Sequence, residues 1–315
     1  MRHFLSVLPL GPHGLRDTLD LAARMKREPA PWRSALAGGK LALIFDKPST
    51  RTRVSFEAAA WALGMLPIML RPDELQVGRG EPPADTARVL SRYVDAVAVR
   101  TFKQAALEEL ARHATIPFVN ALTDEHHPCQ ALADLMTLEE ACGGPAGLRL
   151  AYVGDGNNVA HSLLEACALA GVHLTLATPA GYEPDGGILA AAREAAAGTG
   201  GSVVCVHDPR EAVEGADAVY TDVWTSMGAE AERDERRRAF AGYMVDPALM
   251  ALARPEAIFL HCLPAHRGEE VDAAVIDGPR SRVWQEAENR WWTEMAILYQ
   301  LVDERRREAS GARAG

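Results

Sequence analysis

Short apolar, β-branched runs alternate with stretches of helical spacing along most of the chain. This is the pattern of a parallel sheet covered by helices. Residues 41–45 read as a buried strand, followed by a helix with Val54, Ala58, Trp61 and Ala62 on one face and Gly64 as its stop signal. Residues 68–70, 96–100 and 118–120 read as further strands, with a helix capped by Asp85 and running through Val89 and Tyr93 among them. A long helix from about 127 to 142 ends at Gly143-Gly144-Pro145. A second series follows, with strands at 148–153, 174–178, 202–206, 218–222 and 257–261 and a helix over 158–170 that stops at Gly171. The charged run 228–238 reads as a mobile loop and helix start. The last helix covers 288–304, with an apolar face of Trp292, Met295, Ala296, Tyr299 and Val302, and the tail from Arg305 is expected to fray.

Two similar series of five or so strands predict an α/β protein of two doubly wound parallel-sheet domains, with the active site in the cleft between them. The 315 residues leave room for both. Ligands of such sheets sit at the carboxyl ends of the strands. The net charge of −10 argues against general nucleic-acid binding, which needs a basic face. An anionic ligand would have to be met by a local cluster of Arg and backbone N–H groups. The five cysteines, Cys129, Cys142, Cys167, Cys205 and Cys262, are odd in number and form no Cys-x-x-Cys pair. Free thiols in a reducing cytoplasm fit them better than disulfides. The N-terminal apolar patch is broken by Pro9 and Gly11, unlike a signal peptide, and no stretch approaches a membrane span of ~20 apolar residues.

The candidate chemistry lies at the predicted strand ends. Lys47-Pro48-Ser49-Thr50-Arg51-Thr52-Arg53 follows a strand and opens a helix, where free N–H groups and the helix dipole favour a phosphate. Ser49, Thr50 and Thr52 add hydroxyls and Arg51 adds a fork suited to phosphate oxygens. A Ser-Thr pair alone would be an ordinary cap; the density of Arg and hydroxyls points to an anion. Arg100 ends a strand and by itself reads as a surface Arg. His127-Pro128-Cys129-Gln130 opens a helix, with His127 and Gln130 sharing a face suited to a small carbonyl or amide, although a lone His there is more often a cap. Gly154-Asp155-Gly156-Asn157-Asn158 tempts a dinucleotide reading. That fingerprint needs a third Gly where Val159 stands and an acid where Thr178-Pro179 stands, so a tight turn presenting Asn158 fits better. Asp222 ends a strand and suits a ligand ammonium, or simply caps the next turn. His261, Cys262 and His266 are metal-ligand types, but their spacing matches no structural zinc site. Arg290, in Glu288-Asn289-Arg290 at the predicted start of the last helix, runs against the dipole, so something anionic or electron-rich is expected to hold it.

Taken in order, the motifs at 47–53, 127–134, 154–158, 222–228, 261–264 and 288–290 resemble the aspartate/ornithine carbamoyltransferase family over nearly the whole chain. The first two are shared by both branches. Asp222…Ser226-Met227-Gly228 and His261-Cys262-Leu263-Pro264 resemble the ornithine branch more narrowly. The resemblance implies a carbamoyl-phosphate-binding domain over 1–135, completed by the C-terminal helix at about 288–308, and an ornithine-binding domain over 136–287. It implies transfer of the carbamoyl group of carbamoyl phosphate to the side-chain amine of ornithine, giving citrulline and phosphate in arginine metabolism. Ser49, Thr50, Arg51 and Thr52 would bind the phosphate. Gln76, on a loop resembling the one that reaches a neighbouring subunit's site in the family's trimers, would add to them. Arg100, His127 and Gln130 would hold the carbamoyl group, completed by Arg290 and by the backbone near Cys262 and Leu263. Asn158, Asp222, Ser226 and Met227 would hold the amino-acid end of ornithine. Arg100, His127, Cys262 and Arg290 are the implied catalytic residues, with Arg100 polarising the carbonyl. An amine with a pKa near ~10.4 must shed its proton before attack; Asp222 and Cys262 are candidates to orient it, and the departing phosphate can take the proton. The resemblance implies no cofactor and no metal, a cytoplasmic homotrimer or assembly of trimers, and neither nucleic acid nor membrane as partner. Domain closure is expected, since exposed carbamoyl phosphate would be lost to water, with 228–238 as the lid.

Three alternatives stay open. A carbamoyltransferase for another acceptor, such as putrescine or N-acetylornithine, is disfavoured by Asp222 with Ser226-Met227, which suit a free α-amino acid. A nucleotide-binding regulator or dehydrogenase on the Gly154 turn lacks the third Gly and the acid. A non-catalytic binding module is disfavoured by intact Arg51, His127 and Cys262.

Overall fold

The computed structural model describes residues 2–71, 80–225 and 230–311. The chain divides into two compact units, one running to Leu132 and resuming at Arg290, the other from Ala133 to Asn289. After α1 (Gly11–Arg27), the first unit alternates β1 (Lys40–Phe45), α2 (Thr50–Ala62), β2 (Leu66–Leu70), α3 (Pro83–Tyr93), β3 (Ala96–Arg100), α4 (Gln104–His113) and β4 (Phe118–Leu122). Its four described strands are parallel, in the order β2-β1-β3-β4. β3 is buried along its whole length and β1 through its middle. Strands covered on both faces carry unbroken apolar runs rather than alternation, which is how these two read in the sequence. The register from Leu41↔Ala96 to Phe45↔Arg100 sets the ends of β1 and β3 side by side. The far edge of β4 is closed by the N-terminal segment, with Phe4 donating to the Phe118 carbonyl at 2.8 Å and accepting from the Asn120 N–H at 2.7 Å.

Helix α2 departs from the sequence expectation in phase. Positions 54/58/61/62 and 52/56/59/60 both have helical spacing, and the second set is the inner one: Thr52, Phe56, Ala59 and Ala60 are buried. Val54 and Trp61 are 58% and 78% exposed. Small Ala59 and Ala60 let the helix lie close on its neighbours, which an indole at either position would prevent. In α3 the cap position is Pro82, and Asp85 sits in the first turn paired with Arg88 at 2.9 Å.

Helix α5 (Pro128–Cys142) leads into the second unit, which runs β5 (Arg149–Val153), α6 (Asn158–Ala170), β6 (His173–Ala177), α7 (Gly186–Ala197), β7 (Ser202–Val206), α8 (Pro209–Val213), β8 (Ala218–Thr221), α9 (Arg233–Ala239), α10 (Pro247–Met250), β9 (Ile258–Leu260) and α11 (Ala273–Ile276). These five strands are also parallel, in the order β7-β6-β5-β8-β9. Every residue of α6 from Val159 to Leu169 is buried, and Gly171 closes the helix in the left-handed region at φ 72°. Helix α12 (Val283–Gly311) starts well before the predicted residue 288. Its later turns belong to the first unit, where Tyr299 meets the Trp32 ring edge-on at 5.2 Å and Thr18 donates to Gln300 at 2.9 Å. In each sheet the strand order reverses once, between β1 and β3 and between β5 and β8. Connections leave such a point in opposite directions and open a crevice at the carboxyl edge.

A buried acid pair supports that edge in the second unit. Glu286 of α12 accepts from the Tyr220 hydroxyl at 3.3 Å and from the His261 N–H at 3.0 Å. It also hydrogen-bonds Asp134 of α5, and both side chains are fully enclosed. Burial first, then the charge of Asp134, push Glu286 well above the usual carboxylate range, so the pair shares a proton. A group whose folded pKa is raised stabilises the fold at low pH, and that contribution is lost as pH rises through the folded value. Glu286→Gln, neutral at every pH, is therefore expected to gain in melting temperature relative to the parent as pH rises from about 5 to about 9. A difference that stays constant across that range in thermal unfolding would contradict the shared proton.

Candidate active site

In the first unit the turn after β1 delivers the chain to the N-terminus of α2. The turn is tied down on both sides. The Thr101 hydroxyl donates to Asp46 at 2.5 Å, and buried Lys47 pairs with Asp124 and lies 4.2 Å from the centre of the Phe102 ring. Ser49 caps α2, accepting from the Thr52 N–H at 3.3 Å. Thr50 and Arg51 stand exposed at the helix start, where the N–H groups and dipole draw an anion. Thr52 turns inward. Arg100, the last residue of β3, is buried, as are His127 and Gln130 at the start of α5.

Arg290 joins these elements. Its Nη1 donates to Gln130 Oε1 at 2.8 Å and its Nη2 to Thr52 Oγ1 at 3.2 Å. Its other side is held by Glu294 on the same helix, whose Oε1 accepts from Nε at 3.1 Å and from Nη2 at 2.7 Å. Because α12 begins at Val283, Arg290 stands inside the helix rather than at its start, and Glu294 is an anionic partner of the kind its position demanded. Burial, and then the charges of Arg290, Arg100 and Arg51, hold the His127 imidazole well below its usual range. The ring is therefore neutral near pH 7 and carries one donor nitrogen, amid a field built for an anion.

The second unit carries the opposite charge. Asn157 caps α6, accepting from the N–H groups of Val159 and Ala160 at 2.9 and 3.2 Å, and its Nδ2 donates to Asp222 at 2.8 Å. Gly156 has a packing role: a Cβ there would come within 2.3 Å of the Pro184 nitrogen. This close passage of the 182–184 backbone accounts for the glycine without any dinucleotide. Buried Asp222 follows β8 and accepts the Cys262 thiol at 3.0 Å. Burial, then Asp222, push that thiol well above its usual range, so Cys262 is an S–H donor and not a nucleophile. Leu263 sits at φ 58°, and its N–H donates to His261 Nδ1 at 2.9 Å while His261 Nε2 faces Glu270 at 3.2 Å. The charged stretch expected as a loop and helix start leads into helix α9. Its Arg236 binds Asp155 at 2.7 Å and the Trp224 carbonyl at 3.0 Å, and Arg233 and Arg237 bind Glu269 at 2.7 and 2.5 Å. Burial outweighs Arg236 and lifts Asp155 to about 6.

Of the residues singled out in the sequence, Ser49, Thr50, Arg51, Thr52, Arg100, His127, Gln130 and Arg290 fall in the first unit, and Asn158, Asp222, Cys262 and Leu263 in the second. Gln76, Ser226 and Met227 lie outside the described residues. The sequence reading passed over Asn157 and Glu294. Asn157 shows there only as a cap, because its contact with Asp222 requires β5 and β8 to be neighbours. Glu294, four residues after Arg290, looks like half of a surface pair. Asp222, His261 and Cys262 form one group of donors within 4.8 Å of one another, and His266, Glu269 and Glu270 form a second. Members of both are already engaged: the Cys262 thiol with Asp222, both His261 nitrogens, and Glu269 with two arginines. No metal role is assigned to either.

The charge of Arg290 bears on His127 more than that of Arg51, which gives a test. Replacing Arg290 by Met should raise the His127 titration more than replacing Arg51 by Met, read by NMR of the labelled imidazole. Equal or inverted effects would contradict the charge arrangement described here.

A family model described as the carbamoyl-P binding domain of aspartate/ornithine carbamoyltransferase matches residues 2–140, and one described as the Asp/Orn binding domain matches 146–301. The ornithine carbamoyltransferase of Acidothermus cellulolyticus is 55% identical over 303 residues, covering 96% of this chain and 97% of that one. That of Methanothermobacter thermautotrophicus is 52% identical over 302 residues, covering 96% and 99%. Among solved structures, ornithine carbamoyltransferase from Pyrococcus furiosus matches with a TM-score of 0.93 at 48% identity, covering 96% of this chain and 97% of that one. The enzyme from Thermus thermophilus gives 0.87 at 47% identity, covering 96% and 99%. Two family models over almost the whole length, and relatives sharing half the residues from end to end, leave one assignment: the chain belongs to the aspartate/ornithine carbamoyltransferase family.

Proposed function

We propose that this protein transfers the carbamoyl group of carbamoyl phosphate to the side-chain amine of L-ornithine, giving L-citrulline and phosphate in arginine metabolism. The observation that carries this reading is the Asp222–Cys262 contact at 3.0 Å, an acidic amine-binding feature, in the same chain as the cationic α2 site. In the proposed mechanism Ser49, Thr50, Arg51 and Thr52 hold the phosphate at the start of α2. Arg100 and neutral His127 donate to the carbamoyl oxygen as negative charge grows on it, and Arg290 with Gln130 fixes the group's orientation. Asp222 binds the ornithine amine, with Cys262 at its side. The neutral amine attacks the carbonyl carbon, the bond to the phosphate oxygen breaks, and the leaving phosphate takes the proton. Asn158, Ser226 and Met227 are assigned to the amino-acid end, and the Leu263 backbone to the carbamoyl pocket. No cofactor enters this scheme, since carbamoyl phosphate is already activated.

We place the protein in the cytoplasm as a trimer, with Gln76 reaching a neighbour's site. Free cysteines support the first part, and no described helix is long and apolar enough to cross a membrane. Exposed Val54 and Trp61, one helical face apart by seven residues, support the second as surface to be covered by another copy.

Citrulline formation assayed against ornithine, putrescine, aspartate and N-acetylornithine tests the reaction, and a preference for any acceptor but ornithine would overturn it. Arg51→Ala is expected to raise the KM for carbamoyl phosphate and cut turnover at least tenfold, of the order of one lost charged hydrogen bond. Asp222→Ala should raise the KM for ornithine far more than that for carbamoyl phosphate. If each variant affects both substrates alike, the division of labour is wrong. Light scattering should give a mass of three chains, and Trp61→Glu should lower it; a monomeric parent protein refutes the assembly.

A further inference from the structure

Among the described residues, Arg290 and Glu294 stand apart from the other helical ion pairs. Arg53–Glu57 has the same spacing with its side chains 53% and 35% exposed, whereas those of Arg290 and Glu294 are 6% and 0% exposed. A carboxylate on a helix surface costs little. A fully enclosed one is costly unless it is firmly engaged. Glu294 hydrogen-bonds Ser55 of α2, and a single oxygen, Oε1, accepts from both Nε and Nη2 of Arg290. That double contact fixes the plane of the guanidinium. From it, Nη1 reaches Gln130 Oε1 and Nη2 reaches Thr52 Oγ1. With its oxygen committed to an arginine, the Gln130 amide can face only one way. One carboxylate thus orders Arg290, Gln130 and Thr52, which lie on three different helices.

The same carboxylate acts through charge. Arg51, Arg100 and Arg290 all bear on His127. Uncompensated, three cations would hold phosphate tightly in substrate and product alike, and binding that is equal in ground and transition states does not speed the reaction.

We propose that Glu294 is a positioning residue for carbamoyl transfer, aiming Arg290 at Gln130 and Thr52 and offsetting one of the three arginine charges at the phosphate site. This rests on the reading of the cluster at the start of α2 as the one for carbamoyl phosphate.

The test compares Glu294→Ala and Glu294→Gln in the full-length protein by steady-state kinetics with both substrates and by inhibition with inorganic phosphate. Glu294→Ala loses both aim and charge. Its kcat should fall by about tenfold or more, while phosphate inhibits several-fold more tightly and the KM for ornithine stays within about twofold. Glu294→Gln keeps an acceptor oxygen for Arg290 but no charge. It should recover most of the lost kcat while keeping the tighter phosphate inhibition. General structural damage would weaken phosphate binding instead. Unchanged kcat in the Ala variant, weaker phosphate inhibition in either variant, or a Gln variant as slow as Ala would each overturn the proposal. If Ala does not fold, the Gln variant alone decides through phosphate inhibition. A parent protein that makes no citrulline overturns the functional reading, whereas an active parent with unaffected variants overturns only the role of Glu294.

Discussion

A parallel sheet cannot join neighbouring strands by tight turns; each connection must cross back over a face, and where the strand order reverses the crossings part. That constraint places the chemistry of this protein. In the first sheet the reversal falls between β1 and β3, whose ends deliver the Ser49–Thr52 turn and Arg100. In the second it falls between β5 and β8, whose ends deliver Asn157 and Asp222. A cluster of polar groups thus arises in each unit by the same rule, and their difference lies wholly in the residues set on it.

Those residues give the two clusters opposite electrical character. Around His127 the buried guanidinium groups of Arg100 and Arg290 join exposed Arg51 at a helix N-terminus, and the imidazole responds by staying neutral. Around Asp222 lie Asp155, the protonated Cys262 thiol and the Asp134–Glu286 pair with its shared proton. A phosphorylated substrate and an amine suit these two environments respectively, and each environment exacts a cost in buried charge that its internal partners offset. Glu294 answers Arg290, Arg236 answers Asp155, and a proton answers Glu286.

Much of this was legible in the sequence. β3, β7 and α6 match their predicted spans: β3 is covered on both faces and α6 is buried nearly all round, which leaves long apolar runs, while the edge strand β7 shows by its β-branched residues. Gly64 and Gly171 marked the ends of their helices, whereas Asp85 is not the cap of α3. The phase of α2 was not legible, since two sets of positions share one period and only contact with neighbouring elements chooses between them. The start of α12 was missed because its first turn, Val283 to Glu286, buries Val283 together with Glu286, a charged residue whose burial no periodicity announces.

The sequence by itself determined the two-series α/β organisation, the chemical type of each cluster, and, through the order of its motifs, the family. Local spacing and helix-terminus chemistry act over a few residues, so they are written in the chain directly. The tertiary structure alone decided which groups share a site and in what ionisation state. Gln130 and Arg290 are 160 residues apart yet meet at 2.8 Å, and burial and Asp222 hold the Cys262 thiol well above its usual range. Long-range contact and desolvation depend on the whole fold, which is why the cluster of hydroxyls and arginines at the start of α2 was visible from the sequence and the carboxylate behind Arg290 was not.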